Sequence, residues 1–109
     1  MGGLKPTPIR ESAFADQIEH LLELFGWTWT HFEPAIRQSG RWATPLRGDK
    51  GLPDYIAVRD GRLLFIEIKG TGGRPTMAQI AWLEQLRNAG AETFLWWPDD
   101  ILIAKEILR

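Results

Sequence analysis

The sequence predicts a mixed α/β domain: a sheet flanked by helices, with the element order αβββαβ and a short closing helix. Three observations carry that expectation. Two stretches repeat apolar residues at helical spacing, and four short runs are rich in β-branched and aromatic residues. Asp60-Gly61 joins two of those runs, the strongest short hairpin signal. A length of 109 residues suits one core, so residues 1–109 are read as a single domain.

The elements follow in order. In "TPIRESAFADQIEHLLELFG" Thr7 is a candidate cap and Pro8 suits the first helical position. Phe14, Ile18, Leu21, Leu22 and Phe25 then recur at helical spacing, and Gly26 is a natural stop. "WTWTHF" alternates and predicts a strand over 27–32. From Glu33 to Gly51 the periodicity dissolves into a long loop, which in a compact domain is usually functional or disordered. Residues 54–59 and 62–69 read as the two hairpin strands. "TGGRP" breaks the chain, and "TMAQIAWLEQLRNAG" is a second helix with Ile80, Leu83 and Leu86 inward and Gly90 at its end. "ETFLWW" is the fourth strand and "DDILIAKEILR" the closing helix.

Composition excludes several classes of function. The chain is 44% hydrophobic and 25% charged, with a net charge of −1. That is ordinary globular composition, so a nucleic-acid site must be a local patch. The absence of cysteine rules out disulfides, thiolate zinc sites and a cysteine nucleophile, and suits an intracellular, cytoplasmic protein. "MGGLKPTPIR" lacks an apolar signal core and no apolar run approaches membrane-spanning length, so no membrane role is expected.

The hairpin register carries the chemistry. A two-residue turn at Asp60-Gly61 pairs Arg59 with Arg62, and counting outward sets Asp54 opposite Glu67. Directly opposed residues share a face with Cβ atoms roughly 4.5–5.5 Å apart, and Lys69, two residues beyond Glu67, projects from the same face. Ile56, Val58, Leu63 and Phe65 complete that face, while Ala57, Leu64, Ile66 and Ile68 form the other, so helices are expected on both sides. Two opposed carboxylates repel, and burial adds to the cost. Lys69 alone can resolve this as a structural cluster, but a divalent ion does so better, because Mg²⁺ takes one or two carboxylates and keeps positions for water and phosphate. An ion held by Asp54, Glu67 and the carbonyl of Ile68 would polarise a phosphate and lower the pKa of a bound water. Lys69 would orient that water and offset developing charge. The expected reaction is phosphodiester hydrolysis.

Pro53-Asp54 with Glu67-x-Lys69 matches the PD-(D/E)xK nuclease pattern, whose core order is also αβββαβ. More of the chain, from Glu11 to about Pro98, resembles the VRR-NUC family of nucleases. The matching features are "ESAF" opening the first helix, "GWTWTH", the "G-x-PD" of residues 51–54, "GRLLFIEIKG", Gln79 ten residues after Lys69, and "WWP". The resemblance implies a restriction-endonuclease-like fold and a Mg²⁺- or Mn²⁺-dependent DNA endonuclease. It also implies a phage or bacterial type of protein, a homodimer, and branched DNA such as four-way junctions as substrate. The segment 33–50 is longer and more basic than in short members of the family, which leaves the substrate preference open.

Three further residues acquire a second meaning through the resemblance. Glu11 shares a helical stripe with Phe14 and Ile18, so it is expected to point toward the core. It is either an acid favoured by the helix dipole or, as the family implies, a third acidic group at the metal, direct or through water. Gln79 follows Thr76 by three residues, a capping box, yet by resemblance it also faces the phosphate or the attacking water. His31 lies on the side of Trp27 and Trp29 and is either structural or, by resemblance, near the scissile phosphate.

Positive charge gathers just before Pro53-Asp54, with Arg37, Arg41, Arg47 and Lys50 against Asp49 alone. Such residues position phosphates without reading sequence. Trp42 is a candidate to stack on an exposed base, and Arg74 is a further candidate phosphate ligand. On the first helix Asp16, Glu19 and Glu23 are assigned to the outer side. Trp96 and Trp97 are adjacent on a strand and so face opposite ways, one under a helix and one available to a second subunit. Two alternatives stand beside the nuclease: a catalytically inactive DNA-binding module on the same fold, and a purely structural ion cluster.

Overall fold

The computed structural model describes residues 7–32, 35–36, 42–43 and 46–109, the two short pairs by their backbone alone. The first helix, α1 (Glu11–Leu24), begins later than Thr7 and Pro8 suggest, and its N-cap Arg10 gives no side-chain cap. The cause lies downstream in sequence. Ile9 donates its amide to Thr71 Oγ1 at 3.0 Å and accepts the Thr71 amide at 2.9 Å, which holds the chain extended up to Arg10. Phe14, Ala15, Ile18, Leu21 and Leu22 form the buried stripe of α1. The helix closes with the Schellman pattern at Gly26: the Gly26 amide donates to Glu23 O and the Trp27 amide to Leu22 O.

The strands are β1 (Thr28–His31), β2 (Ala35–Ile36), β3 (Trp42–Ala43), β4 (Tyr55–Arg59), β5 (Arg62–Ile68) and β6 (Glu92–Trp96). The main sheet has the order β1-β4-β5-β6, antiparallel except for the parallel β5–β6 pair. A parallel pair needs a crossover, and α2 (Met77–Asn88) supplies it. The segment read as an unbroken loop contains the small antiparallel pair β2–β3.

The main core lies on one face of the sheet. Tyr55, Ala57, Leu64, Ile66, Ile68 and Trp96 are buried there against α1 and α3 (Ile101–Leu108). The last helix follows a 3-10 turn at Pro98–Asp100. Its final carbonyls are gathered by Trp27 Nε1, which donates to Leu108 O at 2.8 Å, and by Arg59 and Arg62. Both guanidiniums also stack on the Trp27 ring, at 4.4 and 5.1 Å. Cations at a helix C-terminus satisfy carbonyls that have no partner within the helix.

Helices lie on both faces as expected, with α1 and α3 on one and α2 on the other, although α2 covers its face only in part. Among the described residues α2 packs there, over β5 and β6, and Leu83 is its one buried residue. Val58 and Leu63 stay 43% and 39% exposed. Ile80, expected inward, is 42% exposed, because α2 rests on the sheet through Leu83 and the half-buried Leu86. Trp96 is buried and stacks on Phe94. Trp97 is half-buried and donates Nε1 to Gly73 O at 2.8 Å, so it pins the Gly-rich turn. Glu19 and Glu23 are not merely outward. Glu23 accepts Trp29 Nε1 at 2.9 Å and Glu19 accepts the Tyr55 hydroxyl at 2.6 Å, tying α1 to the sheet. Among the described residues no helix is long and apolar enough to cross a membrane.

Candidate active site

The site is built by the β4–β5 hairpin. Asp60 and Gly61 both have positive φ, 49° and 77°, as a type I′ turn requires. The ladder runs without a bulge from Arg59–Arg62 to Tyr55–Ile66, so Asp54 and Glu67 come next and oppose one another as the sequence register demands. Bonded and non-bonded pairs alternate in such a ladder. Counted from the turn, Asp54–Glu67 is a non-bonded pair, the kind whose side chains lie closest.

Pro53 would face Ile68 at the following, bonded position, but proline has no N–H for the Ile68 carbonyl. The Ile68 amide donates instead to Asp54 Oδ2 at 2.8 Å. The next amide, of Lys69, points the other way, to Trp96 O at 2.9 Å. In an extended strand a residue's N–H and C=O point to the same side, so the Ile68 carbonyl is directed toward Asp54. The proline of the Pro-Asp pair thus leaves an acceptor without a ladder donor beside two acids.

Glu67 is 1% exposed, the one buried charged residue among those described. Its Oε2 lies 3.2 Å from Lys69 Nζ. Burial first, and the charge of Asp54 second, push its carboxyl up to about 7 against the pull of Lys69. Burial also raises Asp54, with the Ile68 amide opposing. The two carboxyls are near enough to hydrogen-bond when a proton is present. With both ionised there is no proton to share, and Glu67 Oε1 has no partner among the described residues.

Glu11 reaches this neighbourhood through a close backbone approach. A Cβ on Gly70 would lie 2.7 Å from the Glu11 amide nitrogen and 3.0 Å from Ile9 O, so only glycine lets the start of α1 dock on the strand exit. Glu11 is exposed rather than turned to the core, because it sits on the first turn, beyond the sheet end. Its carboxyl is raised by partial burial and then by Asp54, with Lys69 and His31 opposing. It therefore feels the site's charges. Among the described residues, however, no group of three or more His, Asp or Glu side chains is gathered to hold one ion. The groups that could hold an ion here are Asp54, Glu67 and the Ile68 carbonyl. Such oxygen donors suit a hard cation which keeps several waters, such as Mg²⁺ or Mn²⁺, and the buried Oε1, without a partner among the described residues, is an atom such an ion could satisfy.

Gln79 forms the capping box: its Oε1 accepts the Thr76 amide at 2.9 Å and its own amide donates to Thr76 Oγ1 at 3.1 Å. The carboxamide oxygen is thereby committed to the cap. His31 stacks on Tyr55 at 4.2 Å, with Nδ1 3.1 Å from Glu19 Oε2, a structural network facing α1. Arg47, Lys50 and Arg74 are exposed. Arg37, Arg41 and the side chain of Trp42 lie outside the described residues. Two contributors to the site and one aromatic residue outside it, Trp82, escaped sequence reasoning. Gly70 could have been flagged as the residue that follows the lysine in "EIKG". The Glu19–Tyr55 link had no signal. Trp82 could have been noticed as an aromatic residue off the inward stripe of α2. Compared with family models and with the sequences of curated proteins, the chain matches none.

Proposed function

We propose that this protein is a Mg²⁺- or Mn²⁺-dependent endonuclease of the VRR-NUC type, hydrolysing phosphodiester bonds in branched or otherwise structured DNA. The observation that carries the reading is the opposed Asp54–Glu67 pair, Asp54 half-buried and Glu67 buried beside Lys69, with Glu67 Oε1 lacking a partner among the described residues. A structural cluster is complete once its charges are matched, whereas here ionisation of Glu67 sets two carboxylates against the single ammonium of Lys69. When bound, the ion would polarise a phosphate oxygen and acidify a water.

The chain's own residues supply the rest. Asp54 and Glu67 bind, the Ile68 amide fixes the Asp54 rotamer, and Lys69 holds Glu67 in place and offers a positive charge to an incoming phosphate. Glu11 lies within the field of Asp54 and Lys69, which supports a role through a water. Exposed Arg47, Lys50 and Arg74 supply phosphate contacts. The resemblance also supports a homodimer, which analytical ultracentrifugation tests.

The decisive experiment is a cleavage panel of single-stranded, duplex, flap and four-way DNA with Mg²⁺, Mn²⁺ or chelator. The wild-type protein should cut with metal only, and Asp54→Ala and Lys69→Ala should bind DNA without cutting. Equal DNA retardation with and without metal, and no cleavage, would assign the chain to non-catalytic binding instead.

A further inference from the structure

A second feature lies on the outer side of α2, away from the acids. Asp49, Lys50, Ala78, Ala81, Trp82 and Gln85 line an open groove of about 520 Å³, within the size range of small-ligand sites. One wall is the flat, half-buried Trp82 indole, oriented by a long contact from Nε1 to Asp49 O at 3.4 Å. Ala78 and Ala81 form a low floor. Next to the groove the chain makes a tight approach: a Cβ on Gly51, whose φ is +99°, would lie 2.6 Å from Ala78 C and 2.8 Å from Gln79 N. That contact holds Gly51, next to the lining residues Asp49 and Lys50, against the first turn of α2.

We propose that this groove receives one unpaired nucleobase of a DNA substrate, stacked on Trp82, with its phosphate on Lys50. The proposal rests on the nuclease reading and adds to it the position at which an unpaired base is held. The aromatic wall with cations at the rim selects the occupant: Asp49 balances Lys50 in the lining, and Arg47 leaves the rim net positive. The rim carries exposed Lys50, with exposed Arg47 three residues before it, and these attract a polyanion. Gln85 presents both a donor and an acceptor for a base edge, and Asp49 an acceptor for an exocyclic amine. Every base has a π-face, so such a pocket holds single-stranded and junction DNA in preference to paired duplex.

The test reads binding in chelator, without cleavage, using a single-stranded oligonucleotide that carries one 2-aminopurine and the blunt duplex of the same sequence. The wild-type protein should prefer the single strand and quench the probe. Trp82→Leu should lose the quenching and cut the single-strand preference roughly 5- to 150-fold, the equivalent of about 1–3 kcal/mol per stacked base. Lys50→Ala, at an exposed position where misfolding is not a concern, should lower the salt slope of single-strand binding by about 0.7. No quenching, or Trp82→Leu and Lys50→Ala proteins with the wild-type preference and slope, would overturn the proposal. So would a change of oligomeric state in Trp82→Leu at wild-type DNA affinity, which would give the groove to a second copy of the chain. If wild type meanwhile cuts the duplex with Mg²⁺, the nuclease reading survives that failure. If it neither binds nor cuts DNA, both fall.

Discussion

Glu67→Gln is expected to make the fold more stable at pH 8 while abolishing cleavage. The carboxyl of Glu67 is raised from 4.5 to about 7 by burial and by Asp54. Between those values the folded chain holds a proton that the unfolded chain has released. Its contribution to stability is therefore complete below pH 4.5 and is lost as pH rises through about 7. A gap of about 2.5 pH units, at about 1.4 kcal/mol each, makes ionised Glu67 a liability of about 3 kcal/mol at pH 8. Glutamine never ionises, and its amide can donate to Asp54 where Oε1 now has no partner. It forfeits the charge contact with Lys69, so the expected net gain at pH 8 is roughly 1–2 kcal/mol, or roughly 5–10 °C in Tm. At pH 4.5 the gain should vanish. Urea unfolding at both pH values measures it, and Mg²⁺ at pH 8 should stabilise the wild type but not the variant. A variant less stable than wild type at pH 8 would refute the reasoning, since breaking a purely structural buried pair costs roughly 3–5 kcal/mol.

Other perturbations follow from the same geometry. Gly70→Ala places a methyl 2.7 Å from the Glu11 nitrogen, so α1 must shift; thermal melting should show a loss of roughly 1–3 kcal/mol, and cleavage should fall at least tenfold. Glu11→Gln, at an exposed site, should move stability by no more than about 0.5 kcal/mol and yet lower the cleavage rate. His31→Phe keeps the stack on Tyr55 and loses the contact with Glu19, so it should cost about 1 kcal/mol in denaturation and leave cleavage within a few-fold of wild type.

Why some of this was legible in the sequence and some not can be traced to particular residues. Asp54 opposite Glu67 could be counted from the turn, because Asp60-Gly61 admits few connections and each residue outward alternates faces. The five buried positions of α1 repeat at helical spacing, and Thr76 with Gln79 announced a cap that does form. Such features need only neighbours in sequence or one fixed turn. Thr7 and Pro8 offered an equally good local start for α1, but Thr71 took both polar groups of Ile9 from 62 residues away. Tyr55 and His31 likewise turn Glu19 from a solvent-facing acid into a tie between helix and sheet.

What the sequence determined by itself is the order of the main helices and sheet strands, the hairpin register and the identity of the paired acids, since all three follow from local sterics and alternation. Tertiary structure alone decided which acids are buried, where α1 begins, that Gly70 admits Glu11 to the neighbourhood of Asp54, and that Trp82 borders an open groove. The physical reason is range. Desolvation and close backbone approach depend on what packs from distant parts of the chain, and no window of sequence contains that.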